Sequence, residues 1–310
     1  MAITAALVKE LREISGAGML DCKKALMETN GNIEKAVEYL REKGLAASAK
    51  KAGRIASEGI VDIFVSDDNQ VSAIVEVNSE TDFVAKNQMF KNYVAAVAKQ
   101  AAETTSEDIE AFLKDKWSLD SALTVEEALS QQVAVIGENL KIRRFSKFIK
   151  EDTGVIVPYI HGGGRIGTMV ELKCDKPCDA LVEAGKNVAM QVAALNAKFI
   201  AQEDVPSEFI EKEREILKHQ ALNDEKNAGK PENIIDKMIE GRLKKELKEY
   251  CLLEQAYVKD GDMTVASYLA SVAKGIGVPI KVTRFERFET GEGLAKKEEN
   301  FADEVAKAMK

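Results

Sequence analysis

The feature that most constrains this fold is a pattern that occurs twice in the chain. When the sequence is shifted by 95 positions, residues 71–77 (VSAIVEV) fall on residues 166–172 (IGTMVEL). At a shift of 140, residues 141–145 (KIRRF) fall on residues 281–285 (KVTRF). Two matches in the same order predict two copies of one αβ unit. An internal repeat of this kind determines the fold, so it is considered before any single motif.

Each copy is predicted to contain a strand hairpin, helices and a third strand. In the first copy, alternating apolar residues over 60–65 and 71–77 flank Asp67, Asp68 and Asn69, a pattern typical of a β-hairpin. The remaining elements of this copy are predicted at residues 89–102, 106–116 and 124–136 for helices and 140–148 for the strand. At the shift of 95 the first of these helices is aligned as well, because the pair Val97-Ala98 falls on the pair Val192-Ala193.

The difference between the two shifts, 45 residues, predicts an insertion in the second copy between Ile200 and Asp260. Two helices with narrow apolar stripes and many Glu and Lys residues are predicted there, with a turn at Gly229-Lys230-Pro231. This pattern favours an antiparallel coiled-coil hairpin that projects from the sheet. The alternative is an extra helix pair packed on the core.

Residues 1–45 are predicted to form three short helices that resemble a ubiquitin-associated-type bundle. Leu7, Leu11 and Ile14 are expected on the buried face of the first helix, after a cap at Thr4. The third helix is expected to end at Gly44, and the small and basic residues 46–54 are interpreted as a solvated linker. The alternative is a module that only docks a helix on a partner.

These patterns predict an α+β protein with antiparallel strands in two related core subdomains. The predicted divisions are residues 1–54 for the helical domain and linker, 55–150 for the first core subdomain, 151–204 with 260–290 for the second, 205–259 for the coiled-coil hairpin and 291–310 for a C-terminal helical module. A Gly291-Glu292-Gly293 break precedes that last helix and predicts that it is detached.

Composition argues against several functions. A net charge of −8 and a pI of about 5.2 disfavour direct nucleic-acid binding, because phosphate backbones repel an acidic chain. Four cysteines in 310 residues indicate free thiols in a reducing compartment, so a cytoplasmic protein is expected. No signal peptide and no apolar run of membrane-spanning length is predicted.

The candidate chemical motifs are weak. Residues 162–167 have the Gly-x-Gly-x-x-Gly spacing of a dinucleotide site, but strands are predicted on both sides, so a hairpin loop is favoured. His161 with Cys174 and Cys178 forms a candidate zinc site without a clear fourth ligand, and an enzyme using His161 and Cys174 is the corresponding alternative. We therefore predict a protein that binds another macromolecule, with no metal, no cofactor and no covalent chemistry.

The stretch 79–86 (SETDFVAK) joins a predicted strand to a predicted helix. An aromatic residue, Phe83, stands beside the carboxylate of Asp82 in this polar junction, where binding groups often lie. The simpler interpretation is that Thr81 or Asp82 caps the following helix and Phe83 packs beneath it as a hydrophobic staple.

Several longer motifs are specific to one family. They are residues 16–26 (GAGMLDCKKAL), 50–54 (KKAGR), 80–85 (ETDFVA), 136–139 (IGEN), 161–167 (HGGGRIG) and 229–231 (GKP). Together they resemble bacterial translation elongation factor Ts, and the resemblance runs from end to end. It implies a guanine-nucleotide exchange factor for elongation factor Tu, without direct nucleic-acid or membrane contact. A homodimer through the core or the coiled coil is a further candidate assembly.

The resemblance also implies the roles of individual residues. Thr81, Asp82, Phe83 and Val84 match the family loop that enters the GTPase near its magnesium and phosphate site, where the aromatic ring wedges between helices and the acid disturbs the magnesium. Further partner contacts are implied at Lys23, Lys51, Ile136, Gly137, His161 and Val258. Lys259 departs from the Met that often follows the last of these. At the shift of 95 the second copy has Lys176-Pro177-Cys178 in place of Thr81-Asp82-Phe83, so one copy carries the wedge.

Overall fold

The computed structural model describes residues 3–151, 153–224, 227 and 230–295. It combines α-helices with antiparallel strands, which confirms the α+β class. In the described residues, no helix has both the length and the apolar character that crossing a bilayer requires.

The elements follow the repeat. The N-terminal helices are α1 (Ala5–Ser15), α2 (Met19–Glu28) and α3 (Ile33–Lys51). The first copy contains β1 (Glu58–Val65), β2 (Val71–Ser79), α4 (Asp82–Lys86), α5 (Gln88–Glu103), α6 (Ile109–Lys114), β3 (Lys116–Trp117), β4 (Asp120–Thr124), α7 (Val125–Ile136) and β5 (Lys141–Ile149). The second contains β6 (Gly154–His161), β7 (Ile166–Lys173), α8 (Asp179–Leu195), α9 (Ser207–Asn223), α10 (Glu232–Tyr250), β8 (Ala256–Tyr257), β9 (Asp260–Thr264), α11 (Val265–Ile276) and β10 (Lys281–Glu289).

The N-terminal helices pack around a small apolar core that includes Val8, Leu11 and Leu26. The predicted cap is confirmed, since the Thr4 hydroxyl accepts a hydrogen bond from the Leu7 amide. The expected burial of Ile14 is wrong: its side chain is 58% exposed. The reason is that α2 and α3 cover the face of α1 formed by Val8 and Leu11, which turns Ile14 outward.

The predicted linker after Gly44 is also wrong, because α3 continues to Lys51. Gly44 is buried where α3 crosses α7, and a Cβ atom there would lie 3.6 Å from the Ser130 carbonyl oxygen and 3.7 Å from the Ala134 Cβ. Small side chains in this stretch therefore let two helices approach closely. The alanines and lysines that follow are strong helix formers, which extends the helix beyond the contact.

Each copy contributes a three-stranded antiparallel sheet. The strand order is β1-β2-β5 in the first and β10-β7-β6 in the second, so the two hairpins and third strands are arranged alike. At the shift of 140, β3, β4, α7 and β5 fall residue for residue on β8, β9, α11 and β10. Gly137 and Gly277, which end α7 and α11, have φ angles of 89° and 85°. The repeat therefore extends to the cap of a helix.

The helices α5 and α8 correspond to each other at a shift of 91, so the predicted alignment at a shift of 95 is wrong for this pair. The Gln100 side chain bonds the Lys116 carbonyl (3.2 Å) and the Ser118 amide (2.9 Å). The Gln191 side chain bonds the Ala256 carbonyl (3.0 Å) and the Val258 amide (2.8 Å), the same two positions shifted by 140. The error arose because α8 contains the Val-Ala pair twice, at 188–189 and at 192–193.

The two sheets pack against each other through residues related by the repeat. Arg144 places its guanidinium 4.3 Å from the centre of the Phe288 ring, and Arg284 does the same over Phe148 at 4.3 Å. The apolar core between the sheets consists of the repeat-related pairs Val61 and Ile156, Ile74 and Met169, and Phe148 and Phe288, with Ile63 at its border. The contacts are reciprocal, as in the interface of a two-fold symmetric dimer.

The glycine-rich run 162–167 confirms the predicted hairpin loop, since it joins β6 to β7. Gly164 has a φ of +104°, and a Cβ atom there would lie 2.8 Å from the Cβ of Ile60. Its carbonyl oxygen accepts a hydrogen bond of 2.7 Å from the Val61 amide. The β6–β7 loop of the second copy is therefore hydrogen-bonded to β1 of the first copy. Glycine is needed at position 164 because a side chain there would collide with Ile60.

Gly164→Ala is expected to lower the free energy of unfolding by about 3 kcal/mol, because the new methyl group meets β1 and the backbone is strained for an L-residue. Urea unfolding followed by circular dichroism measures the loss. Gly163→Ala is the control, since Gly163 has a φ of +67° and no atom within 4 Å of the added Cβ. Equal losses in both variants would contradict a role for the contact with Ile60.

The insertion forms a helical hairpin. Phe209 on α9 contacts Tyr250 on α10 with ring centres 5.7 Å apart, and Arg214 contacts Glu240 at 2.9 Å, so the helices run antiparallel. Their shared core is Leu217, Ala221, Ile239 and Leu243. At the base, the chain leaves and returns side by side: the Lys198 amide bonds the Tyr250 carbonyl and the Leu252 amide bonds the Phe199 carbonyl. Of the predicted turn 229–231, Gly229 lies outside the described residues.

The segment after β10 is attached to the first sheet, whereas the detachment expected of the C-terminal helix stays a prediction. The Gly291 amide donates to the Glu76 carboxylate at 2.8 Å, and Arg143 donates to the Glu292 carbonyl. The buried carboxylate of Glu76 thus binds the segment that follows β10. The C-terminal helix predicted beyond it lies outside the described residues from 296 onward.

Candidate functional site

The junction between β2 and α5 contains one short helix, α4, whose orientation is set by two residues. The Thr81 hydroxyl accepts a hydrogen bond from the Val84 amide, so Thr81 caps α4. The helix predicted at 89–102, α5, is capped by Asn87 instead. Val84 is buried in the core of the first copy, whereas Phe83 is 80% exposed. The staple interpretation of Phe83 is therefore wrong: Val84 anchors the turn, and its neighbour points into solvent.

Asp82 lies beside this ring at the start of α4. Its carboxylate is paired with the Lys86 ammonium, one helical turn later, at 2.6 Å, and both side chains are largely exposed. The hydrogen bond from Lys86 lowers the pKa of Asp82 below its ordinary value, so the group is charged at neutral pH. An exposed pair of this kind contributes little to stability and opens readily. The loop therefore presents an aromatic ring together with an available carboxylate.

The end of α7 fixes the start of the same loop. One Glu138 oxygen accepts the amides of Glu80 (3.1 Å) and Thr81 (3.0 Å), and the other accepts the Thr81 hydroxyl at 2.6 Å. In return, the Glu80 carboxylate accepts the Asn139 amide at 2.6 Å. We call these reciprocal bonds among residues 80, 81, 138 and 139 the glutamate clasp. Its members are 57 to 59 positions apart in sequence.

Of the other predicted contact residues, Ile136 and Gly137 are brought to the loop, because they immediately precede Glu138 at the end of α7. The rest are distributed over other elements. Lys23 is exposed on α2, His161 ends β6 with its Nδ1 3.1 Å from the Tyr159 hydroxyl, and Val258 lies exposed between β8 and β9. Lys51 donates to the Val133 carbonyl at 3.3 Å, and Lys259 donates to Asn187 at 2.7 Å.

Sequence reasoning missed an apolar surface on α2. Met19, Leu20 and Met27 are exposed large side chains, close in sequence to Lys23. The buried face of α2 is formed by Cys22, Ala25 and Leu26, and Leu20 and Met27, seven residues apart, lie together off that face. The helical pattern could have identified them, because apolar residues outside the buried stripe of a helix indicate a binding surface.

The corresponding junction of the second copy is shorter. The sheets correspond at a shift of 95 and the long helices at 91, so four residues present in the first copy are absent between β7 and α8. Lys176-Pro177-Cys178 is therefore not a one-for-one replacement of Thr81-Asp82-Phe83. The length equivalent to α4 is missing, and the exposed aromatic residue belongs to the first copy.

The geometry argues against the zinc and thiol alternatives. His161 pairs with Ile166 at one end of the β6–β7 hairpin, and Cys174 follows Lys173 at the other end. Eight residues of strand separate them along the hairpin, about 26 Å at roughly 3.3 Å per residue. Cys174 is also buried. These two residues therefore cannot act on one substrate or bind one ion.

The site is an exposed ring and carboxylate on a loop held by β2 and the end of α7, an arrangement typical of a surface that binds another macromolecule. The family described as Elongation factor TS matches residues 80–292. Elongation factor Ts of Clostridium perfringens is 55% identical over 305 residues, covering 98% of each chain, and that of Clostridioides difficile is 54% identical over 308 residues, covering 99% of each. The chain belongs to the elongation factor Ts family. It is thus a translation elongation factor for guanine-nucleotide exchange on elongation factor Tu, and the sequence resemblance is confirmed.

Proposed function

We propose that the chain binds elongation factor Tu in its GDP form and releases the nucleotide by disturbing the magnesium and phosphate site. Phe83 inserts between helices of the GTPase, and Asp82 competes electrostatically with groups that coordinate the magnesium. The observation that carries this proposal is the 80% exposure of Phe83 on a helix that Thr81 caps and Val84 anchors.

The proposed exchange uses binding energy and needs no acid–base chemistry. A nanomolar complex with GDP corresponds to about 12 kcal/mol, and coupling between two ligands of one protein is reciprocal. Burying an exposed Phe ring contributes about 1.5–3 kcal/mol. The Asp82–Lys86 pair opens at a cost of roughly 1 kcal/mol or less, because exposed ion pairs are weak. The chain therefore gains binding energy from a state of the GTPase that holds GDP poorly.

The remaining contacts are proposed to orient this insertion. Lys23 and Lys51 contact the nucleotide-binding domain of the GTPase, and Ile136, Gly137, His161 and Val258 contact it elsewhere. The three N-terminal helices act as a ubiquitin-associated-like module, the two αβ units as core subdomains, and α9 with α10 as a coiled coil. We place the activity in the cytoplasm. Self-association through the core or the hairpin stays a prediction.

Release of fluorescently labelled GDP from elongation factor Tu tests the proposal. Adding the chain with excess unlabelled GDP is expected to accelerate release by at least tenfold, and excess GTP is expected to displace the chain, since nucleotide and factor weaken each other. An adaptor that only docks through its helical module and hairpin would bind equally well with and without nucleotide. Unchanged release despite measurable binding would reject the exchange function and favour the adaptor.

A further inference from the structure

We infer that Glu138 is a positioning residue for nucleotide exchange: its carboxylate holds the loop that presents Phe83 and Asp82. This inference rests on the proposed function of that loop. Glu138 makes no hydrogen bond to Asp82, whose carboxylate pairs with Lys86. It acts through Thr81, whose amide and hydroxyl it binds at 3.0 and 2.6 Å, and through the Glu80 amide at 3.1 Å.

The position of these bonds explains why they matter for geometry. Thr81 is the cap of α4, and Phe83 is the second residue of that helix. A helix of five residues has too few internal hydrogen bonds to fix its own direction. Its orientation therefore depends on Val84 beneath it and on the cap before it, and Glu138 fixes the cap with charge-assisted hydrogen bonds, which are the stronger kind.

The clasp also links two parts of the expected contact surface. Ile136 and Gly137 lie immediately before Glu138, and the Asn139 amide is bound by Glu80 at 2.6 Å. The Asn139 side chain donates to the Arg54 carbonyl at 2.8 Å, just after α3. A partner that contacts Ile136 and Gly137 at the end of α7 therefore lies next to Glu138, the residue that orients the Phe83 ring.

The second copy provides an internal comparison. At the shift of 140, Glu138 corresponds to Val278 and Asn139 to Pro279, which have neither the carboxylate nor the amide that the clasp uses. This copy has the same helix end, with Gly277 in the same conformation as Gly137. It also lacks the four additional loop residues. Within this chain, the copy that has the exposed loop with Phe83 is also the copy that has the glutamate at position 138.

Glu138→Gln tests the inference in the full chain. The glutamine amide is uncharged and offers one acceptor oxygen, so the backbone amides and the Thr81 hydroxyl can no longer both donate to this side chain, and the bonds that remain lose their charge. The rate of labelled GDP release is measured against chain concentration, which separates the maximal rate from the half-saturating concentration. We expect the maximal rate to fall about tenfold, because a lost hydrogen bond to a charged group is a large effect. The half-saturating concentration should change less than twofold, because the other contacts are intact.

Two further measurements exclude a general loss of stability. Thr124→Ala removes the cap at the opposite end of α7, where the hydroxyl accepts the Glu127 amide at 3.2 Å, and should lower the melting temperature without slowing release. Hydrogen exchange at the amides of Glu80 and Thr81 should accelerate in Glu138→Gln and not in Thr124→Ala.

The outcomes separate the two proposals. If Phe83→Ala slows release but Glu138→Gln does not, the positioning role is wrong and the loop function stands. If Glu138→Gln and Thr124→Ala slow release equally, the effect is stability, and the positioning role is again wrong. If Phe83→Ala releases GDP at the normal rate, the loop function itself fails, and the role of Glu138 fails with it.

Discussion

The double variant Asp82→Ala with Phe83→Ala is expected to slow GDP release from elongation factor Tu by about 100-fold at saturating concentration. The buried ring contributes about 1.5–3 kcal/mol to the disturbed state of the GTPase, and each 1.4 kcal/mol is a factor of ten. Both side chains point outward, so the fold should survive with a change in stability of about 0.5 kcal/mol or less. Stopped-flow release of labelled GDP measures the rate, and circular dichroism checks the fold.

The matched control is Ile149→Ala. Ile149 ends β5, is 55% exposed and has no predicted contact with the partner. Its truncation removes similar apolar surface, so release should be as fast as with the unmodified chain. A double variant that still releases GDP at the normal rate would refute the insertion of Phe83, whatever its affinity for the GTPase.

Glu76→Ala is expected to cause the largest loss of stability, about 3–5 kcal/mol, because it removes the buried carboxylate that two half-buried guanidinium groups and the Gly291 amide share. The Glu76 side chain is 0% exposed and binds Arg144 at 2.6 Å, Arg143 at 3.0 Å and the Gly291 amide at 2.8 Å. Urea unfolding can be followed by the fluorescence of the single tryptophan, Trp117, which is buried in the first copy.

Glu171→Ala provides the comparison in the second copy. Glu171 corresponds to Glu76 at the shift of 95 and pairs with Arg284 at 2.5 Å. Its carboxylate is slightly exposed, so its removal should lower the urea midpoint by clearly less than Glu76→Ala does. If the two losses were equal, the attachment of Gly291 and the second arginine would add nothing to the stability of the first sheet.

The strands and long helices were predictable because their signal is local. Period-two alternation located β1, β2 and β5, and the recurrence of the pattern located β6, β7 and β10. The strands β3, β4, β8 and β9 were missed, and β3 and β8 have only two residues, which cannot show a period. The extension of α3 was missed because residues 45–51 bear no apolar stripe, although their individual helix propensities are high.

The site was only partly predictable. The cap at Thr81 follows from residue type, but periodicity alone could not tell whether Phe83 or Val84 would face the core in a helix of one turn. That the Phe83 ring points outward was predicted only from the resemblance to the family. The bond between Thr81 and Glu138 joins residues 57 positions apart, and no local pattern encodes such a pair.

The base of the α9–α10 hairpin has a consequence for how such a chain varies. Because Phe199 and Cys251 lie beside each other and are joined through backbone bonds, the gap left by removing both helices is a few ångströms wide. Arm length is therefore independent of the architecture beneath it: whole turns can be added or lost in register on both helices without moving a strand. The distance that the α9–α10 hairpin spans and the thermal stability of the two core sheets can then change independently of each other.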